Sequence, residues 1–204
     1  MIGASGRILV AIGVLFAGLR PASAHIVSAR LGDFYAGALH PLTDLQDLIL
    51  WLSLGILAGS LGAVRGRWLV LVFPLGLLSG LLAANVLGTL AAGPALNACM
   101  ILLLGLLLAA ALRIPTVLLC LIAFALAVVR GAANASDLAP ESDRVLFAAG
   151  LACIGYAAIT LVMALTLVFR RTDSPPAWRG IAIRALGGWI AAVGLMMAGL
   201  SLSS

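Results

Sequence analysis

Both histidines of the chain and three of its seven acidic residues fall between positions 25 and 47. They are His25, His40, Asp33, Asp44 and Asp47. Imidazole nitrogens with carboxylate oxygens suit nickel, cobalt or zinc, so the chemistry on offer is cation capture. Asp44 and Asp47 are three residues apart and can converge on one helix face. Whether His40 joins them depends on the turn at Pro41. A second group, Asn134, Asp137, Glu141 and Asp143, follows a later apolar run and reads either as further oxygen ligands or as a solvated loop. There is no nucleophile–base–acid set, no H-E-x-x-H, and two histidines are too few for bis-His haem, so an enzyme is not expected.

The elements that must position these residues are hydrocarbon-seeking. Apolar residues make up 64% of the chain and charged residues 9%, against about 45–50% and about 25% in soluble domains. The mean hydropathy is +1.23. The fold class expected is all-α, a polytopic membrane helical bundle. All twelve basic residues are arginine, and they stand singly or in pairs at the ends of apolar runs. That is a pattern of topology control, with the lipid bilayer as partner and no nucleic acid. Cys99, Cys120 and Cys153 lie within apolar runs without a C-x-x-C pair, which indicates neither a disulfide framework nor a thiolate metal cage. They read as small buried hydrophobes.

Residues 1–24 read as a signal peptide: Arg7, an apolar core of about a dozen residues, too short to cross a bilayer, then the small-x-small end Ala22-Ser23-Ala24. Cleavage there makes His25 the new amino terminus, where amine and imidazole together would chelate nickel or copper. Residues 25–44 form a periplasmic, juxtamembrane segment in which Pro41 ends a short helix and Thr43 or Asp44 caps the next. Residues 45–204 form the transmembrane domain. Its six spans are expected near 45–63, 68–90, 95–112, 114–133, 145–169 and 181–201. The loops after the first, third and fifth carry Arg65 and Arg67, Arg113, and Arg170, Arg171 and Arg179. The positive-inside rule makes those loops cytoplasmic and both mature termini external. His25, His40, Asp44 and Asp47 then share the external face with Asn134 and Asp137.

Within the spans, Gly55 with Gly59 and Gly76 with Gly80 are G-x-x-x-G pairs. They allow close helix approach in a compact bundle or a homo-oligomer. Asn85 and Asn97 read as interhelical hydrogen-bond glue. A carboxylate in a span, as at Asp47, is a functional candidate because a lipid-facing one is costly. Arg130 requires an acid, Asp137 or another, or an anionic ligand.

The segment Leu31-Gly32-Asp33-Phe34-Tyr35-Ala36-Gly37-Ala38-Leu39-His40-Pro41, continuing through Asp47 into a glycine-rich span, resembles the HupE/UreJ family of small bacterial membrane proteins. So does Arg130-Gly131-Ala132-Ala133-Asn134-Ala135. His40 and Pro41 match the family's first motif, but Gln46 and Asp47 stand where it has an acid and a second histidine. In the second motif Gly131, Ala133 and Asn134 match, Arg130 replaces the leading histidine, and Asp137 keeps a following acid. The resemblance implies an inner-membrane nickel or cobalt permease, or a metal-delivery accessory protein with metalloenzyme maturation partners. It implies a transported ion, with no tightly bound cofactor, and a metal site at His40, Asp47, His25, Asp44, Asn134 and Asp137. The alternative is a structural or assembly subunit whose metal site has decayed, which the exchanges to Asp47 and Arg130 favour.

Overall fold

Each long apolar run becomes a helix, and a shorter helix precedes them. The computed structural model describes residues 31–87, 93–112, 114–136, 138, 142–171 and 177–203. The expected signal peptide, His25, Arg113, Asp137 and Glu141 lie outside these. Among the described residues there are seven helices and no strand: α1 (Leu31–Thr43), α2 (Leu45–Leu61), α3 (Ala63–Leu87), α4 (Pro94–Ala110), α5 (Thr116–Ser136), α6 (Arg144–Arg171) and α7 (Ala177–Ser203).

By length and composition, α3, α5, α6 and α7 can each cross a membrane. Helices α1 and α2 pass the same test only as a pair, bent by 83° at Asp44. Helix α4, at 17 residues, is a shorter apolar helix. The six expected spans therefore correspond to four clear candidates, or five with the bent pair. At 1.5 Å per residue a 17-residue helix is about 25 Å long, short of the roughly 30 Å hydrocarbon core.

Two sequence expectations shift. Pro41 lies inside α1, two residues before its end. So late in a helix, its missing N–H and its clash with the preceding turn disturb only the final turn. Helix α3 begins at Ala63 rather than near 68 and takes Arg65 and Arg67 into its start. Gly62 alone separates it from α2, at a φ of 86° that L side chains rarely adopt.

Helix directions follow from the close approaches. A Cβ on Gly55 or Gly59 would meet Val162 and Thr166 of α6, so α2 and α6 run parallel. Gly76 abuts Ala127 and Gly80 abuts the Val128 carbonyl, so α3 and α5 also run parallel. Both G-x-x-x-G pairs are thus used inside the chain. Gly105 and Gly194 set α4 antiparallel to α7, against Ala191 and Leu102. Helix α1 is antiparallel to α6, with Gly37 against the Phe147 carbonyl and Gly150 against that of Phe34. Helix α2 contacts α1, α3, α4, α6 and α7 and forms the centre of the bundle. Around it Leu50, Leu54, Leu69, Leu77, Leu104 and Leu151 are buried. Trp51 meets Phe73 edge-to-face at 5.8 Å.

The outer surface is apolar too. Leu121, Leu165, Trp189, Leu195 and Leu200 are exposed, the expected surface of helices that face lipid rather than water. Cys99 and Cys153 lie on this outer surface rather than in the core, and all three cysteines are free.

Candidate functional site

The starts of α2 and α4 and the last turns of α5 lie at one end of the bundle, and there the charge is buried. Asp44 caps α2: its Oδ1 accepts from the Gln46 N–H at 2.8 Å. Asp47 follows in the first turn, where the helix dipole favours an anion. On α5, Arg130 and Asn134 are four residues apart and share a face. Asp47, Asn134 and Arg130 are 0%, 1% and 4% exposed.

Arg130 links the elements. Its Nε donates to Asp47 Oδ1 at 2.6 Å, and one terminal nitrogen donates to Asp44 Oδ2. The other terminal nitrogen donates to Asn97 Oδ1 at 3.2 Å. Asn134 Nδ2 donates to Asp47 Oδ2 at 3.1 Å and to the Arg130 carbonyl at 2.8 Å. Both oxygens of Asp47 are therefore engaged. The Asn134 orientation is fixed, because flipping the amide would turn its oxygen toward a carboxylate and a carbonyl. That leaves Asn134 Oδ1 as a buried acceptor with no hydrogen-bond partner among the described residues.

Two carboxylates face one guanidinium, so with all three ionised the cluster carries a net charge of −1. Its access to solvent is through Asp44, whose side chain is 34% exposed. The arrangement is a cation site that already holds a tethered cation. A divalent ion could reach the buried carboxylate of Asp47 only by displacing the guanidinium.

The structure brings Asp44, Asp47 and Asn134 together out of the residues expected from sequence. His25 and Asp137 lie outside the described residues. His40, in the last turn of α1, borders a hollow of about 360 Å³ with Leu39, Thr43, Leu138, Ser142 and Phe147. Among the described residues no group of three His, Cys, Asp and Glu side chains gathers at one point. Arg130 takes Asp47 and Asp44 as its acids. Asn97 forms the interhelical bond its position suggested and thereby joins the site, which sequence reasoning had not assigned to it. The available signal was its place in the first turn of α4, the same end of the bundle as Asp47. The side chain of Asn85 lies outside the description.

Asp143 proves to be a helix cap. Its Oδ1 accepts from the N–H groups of Val145 and Leu146 at 2.9 and 3.2 Å, while its own N–H donates to Asp33 Oδ2 at 2.9 Å. That clasp ties the start of α1 to the start of α6.

Compared with known proteins, the chain matches the family model described as HupE / UreJ protein over residues 12–197, most of its length. No curated protein and no solved structure matches it.

Proposed function

The chain belongs to the HupE/UreJ family, and from that premise we propose that it handles a divalent transition metal, nickel or cobalt, as a multi-pass inner-membrane permease or metal-delivery accessory protein. The observation that carries this reading is the convergence of Asp44, Asp47 and Asn134, from two helices, at one end of an apolar bundle. Ionisable groups within a membrane bundle are costly and mark ion pathways. The proposed arrangement has α2 to α7 as six crossings with both ends of the helical domain external and α1 on the outer face. Arg65, Arg67, Arg170, Arg179 and Arg184 lie at the end opposite Asp47, as the positive-inside rule asks of a cytoplasmic face.

A divalent ion arrives at the exposed edge of Asp44, exchanges for the guanidinium of Arg130 and gains Asp47 and the vacant Oδ1 of Asn134. His40, His25 and Asp137 serve the approach and the onward path. The sequence holds no nucleotide-binding loop, so the ion follows gradient and potential. An inward-negative potential contributes about 2.3 kcal/mol per charge per 100 mV.

The full pairing of Arg130 favours a second reading, in which the cluster is a permanent ion lock in a non-transporting assembly subunit. Uptake of Ni²⁺, Co²⁺ and Zn²⁺ into proteoliposomes separates the two. The permease reading expects saturable uptake by the wild type and at least a tenfold weaker apparent affinity in Asp47→Asn, roughly the loss seen when even an outer-shell metal partner is removed. His40→Ala should lower the rate. Uptake no greater than in empty liposomes, or equal in wild type and Asp47→Asn, would leave the lock.

A further inference from the structure

At the opposite end of the bundle lies a cavity of about 410 Å³ between the ends of α2, α4 and α6 and the starts of α3 and α7. Arg65, Arg170 and Arg184 line it, and among the described residues no acidic side chain does. Two of these arginines are anchored. Arg170 donates a terminal N–H to the Ser60 carbonyl, and Arg184 Nε donates to the Ala109 carbonyl at 2.9 Å. Ser60 and Ala109 are in the last turns of α2 and α4, where carbonyls lack intrahelical donors. Each guanidinium has five N–H groups, so both keep donors for a ligand after this anchoring. The rest of the lining is mainly hydrocarbon, including Leu57, Leu107, Leu112 and Ile183.

We propose that this cavity is a binding site for an anionic phospholipid, its phosphate held by Arg65, Arg170 and Arg184 and an acyl chain laid against the leucine and isoleucine walls. Three like charges with no acid among the described lining residues call for an anion, and the apolar walls call for a hydrocarbon tail, which a membrane phospholipid supplies together. The depth fits as well. Trp178, half exposed at the start of α7, packs edge-to-face on Phe169 at 5.6 Å, and Arg179 lies over both rings. Tryptophan and arginine so arranged mark the headgroup level of a membrane. The proposal does not depend on the metal reading.

Native mass spectrometry of the purified protein in micelles, with phosphatidylglycerol or phosphatidylcholine of the same acyl chains added, tests it. Wild type should retain phosphatidylglycerol preferentially. The preference should fall about fivefold for each arginine removed, the scale expected for a basic residue beside an anionic headgroup. Arg170→Gln with Arg184→Gln is the main variant. Arg65→Gln, which leaves both anchoring bonds intact, serves if the double variant does not fold. Arg67→Gln is the control, because Arg67 lies over Trp68 at 5.3 Å and outside the cavity. Equal retention of the two lipids, an unchanged preference in Arg65→Gln or the double variant, or an equal loss in Arg67→Gln would overturn the proposal. Displacement of the lipid by inorganic phosphate alone would overturn the lipid as occupant and leave a phosphate site.

Discussion

Arg130→Leu alone is expected to destabilise the protein by about 3–5 kcal/mol, because it strands a buried carboxylate without its counter-charge. Asp47 is fully buried and receives Arg130 Nε on one oxygen and the Asn134 amide on the other. Losing the first bond leaves only a neutral donor beside the charge. Asp44, one-third exposed, can turn to water and suffers less. The double variant Arg130→Leu with Asp47→Leu should recover most of the loss, since replacing a buried pair with hydrocarbon is often neutral or stabilising. Reversible unfolding in mixed micelles, run as a double-mutant cycle, measures the coupling. A single-variant effect below about 1 kcal/mol would mean that the pair is solvated as a surface ion pair is.

Gly131→Val carries the second large effect. A Cβ at Gly131 would overlap the carbonyl of Leu77 on α3, and Gly80 stands in the same relation to Val128 of α5. Backbone cannot rotate away as a side chain can, so α3 and α5 must separate. Overpacking of this kind costs about 1–3 kcal/mol and occasionally more. Because Gly131 follows Arg130 directly, the same separation should draw the guanidinium away from Asp47. Gly188→Val is the matched control: a Cβ there meets nothing within 4 Å, and an effect within about 0.5 kcal/mol is expected at such a site. Equal losses for the two variants would contradict the packing described for α3 and α5.

Much of the architecture is legible in the chain because membrane helices announce themselves by uninterrupted hydrocarbon. The run from Thr116 to Ser136 needs no partner to be recognised as a helix. Gly76 and Gly80 could be read as points of close approach, but the spacing does not say which helix comes near. That depends on a complementary small-residue face such as Ala127 on α5. The bend at Asp44 was half visible, since Asp44 is a good cap, yet Pro41 drew the break three residues too early.

The site was legible in its members more than in its wiring. Arg130 and Asp47 are 83 residues apart, and nothing local joins them. One physical signal was available: the charged residues within the expected spans are Asp47, Arg130 and Arg184, and only Arg130 lies at the same external end as Asp47. The sequence alone offered Asp137, which follows Arg130 closely in the chain, or another acid. Asn97 was recognised as polar glue, but its bond to Arg130 required knowing that α4 and α5 bring those ends together.

Arg130 is proposed to occupy a cation site formed by Asp44, Asp47 and Asn134. The most direct measurement is the shift in unfolding midpoint with Ni²⁺ or Co²⁺ for Arg130→Gln beside wild type. With the tethered cation gone, the variant should be stabilised saturably, by about 2.7 kcal/mol at a hundred times its dissociation constant. Wild type should need about two to four orders of magnitude more metal, because the ion must first displace a guanidinium whose loss from a buried carboxylate costs about 3–5 kcal/mol. Arg130→Gln combined with Asp47→Asn should not respond. A metal response in Arg130→Gln no larger than in that double variant would contradict the claim.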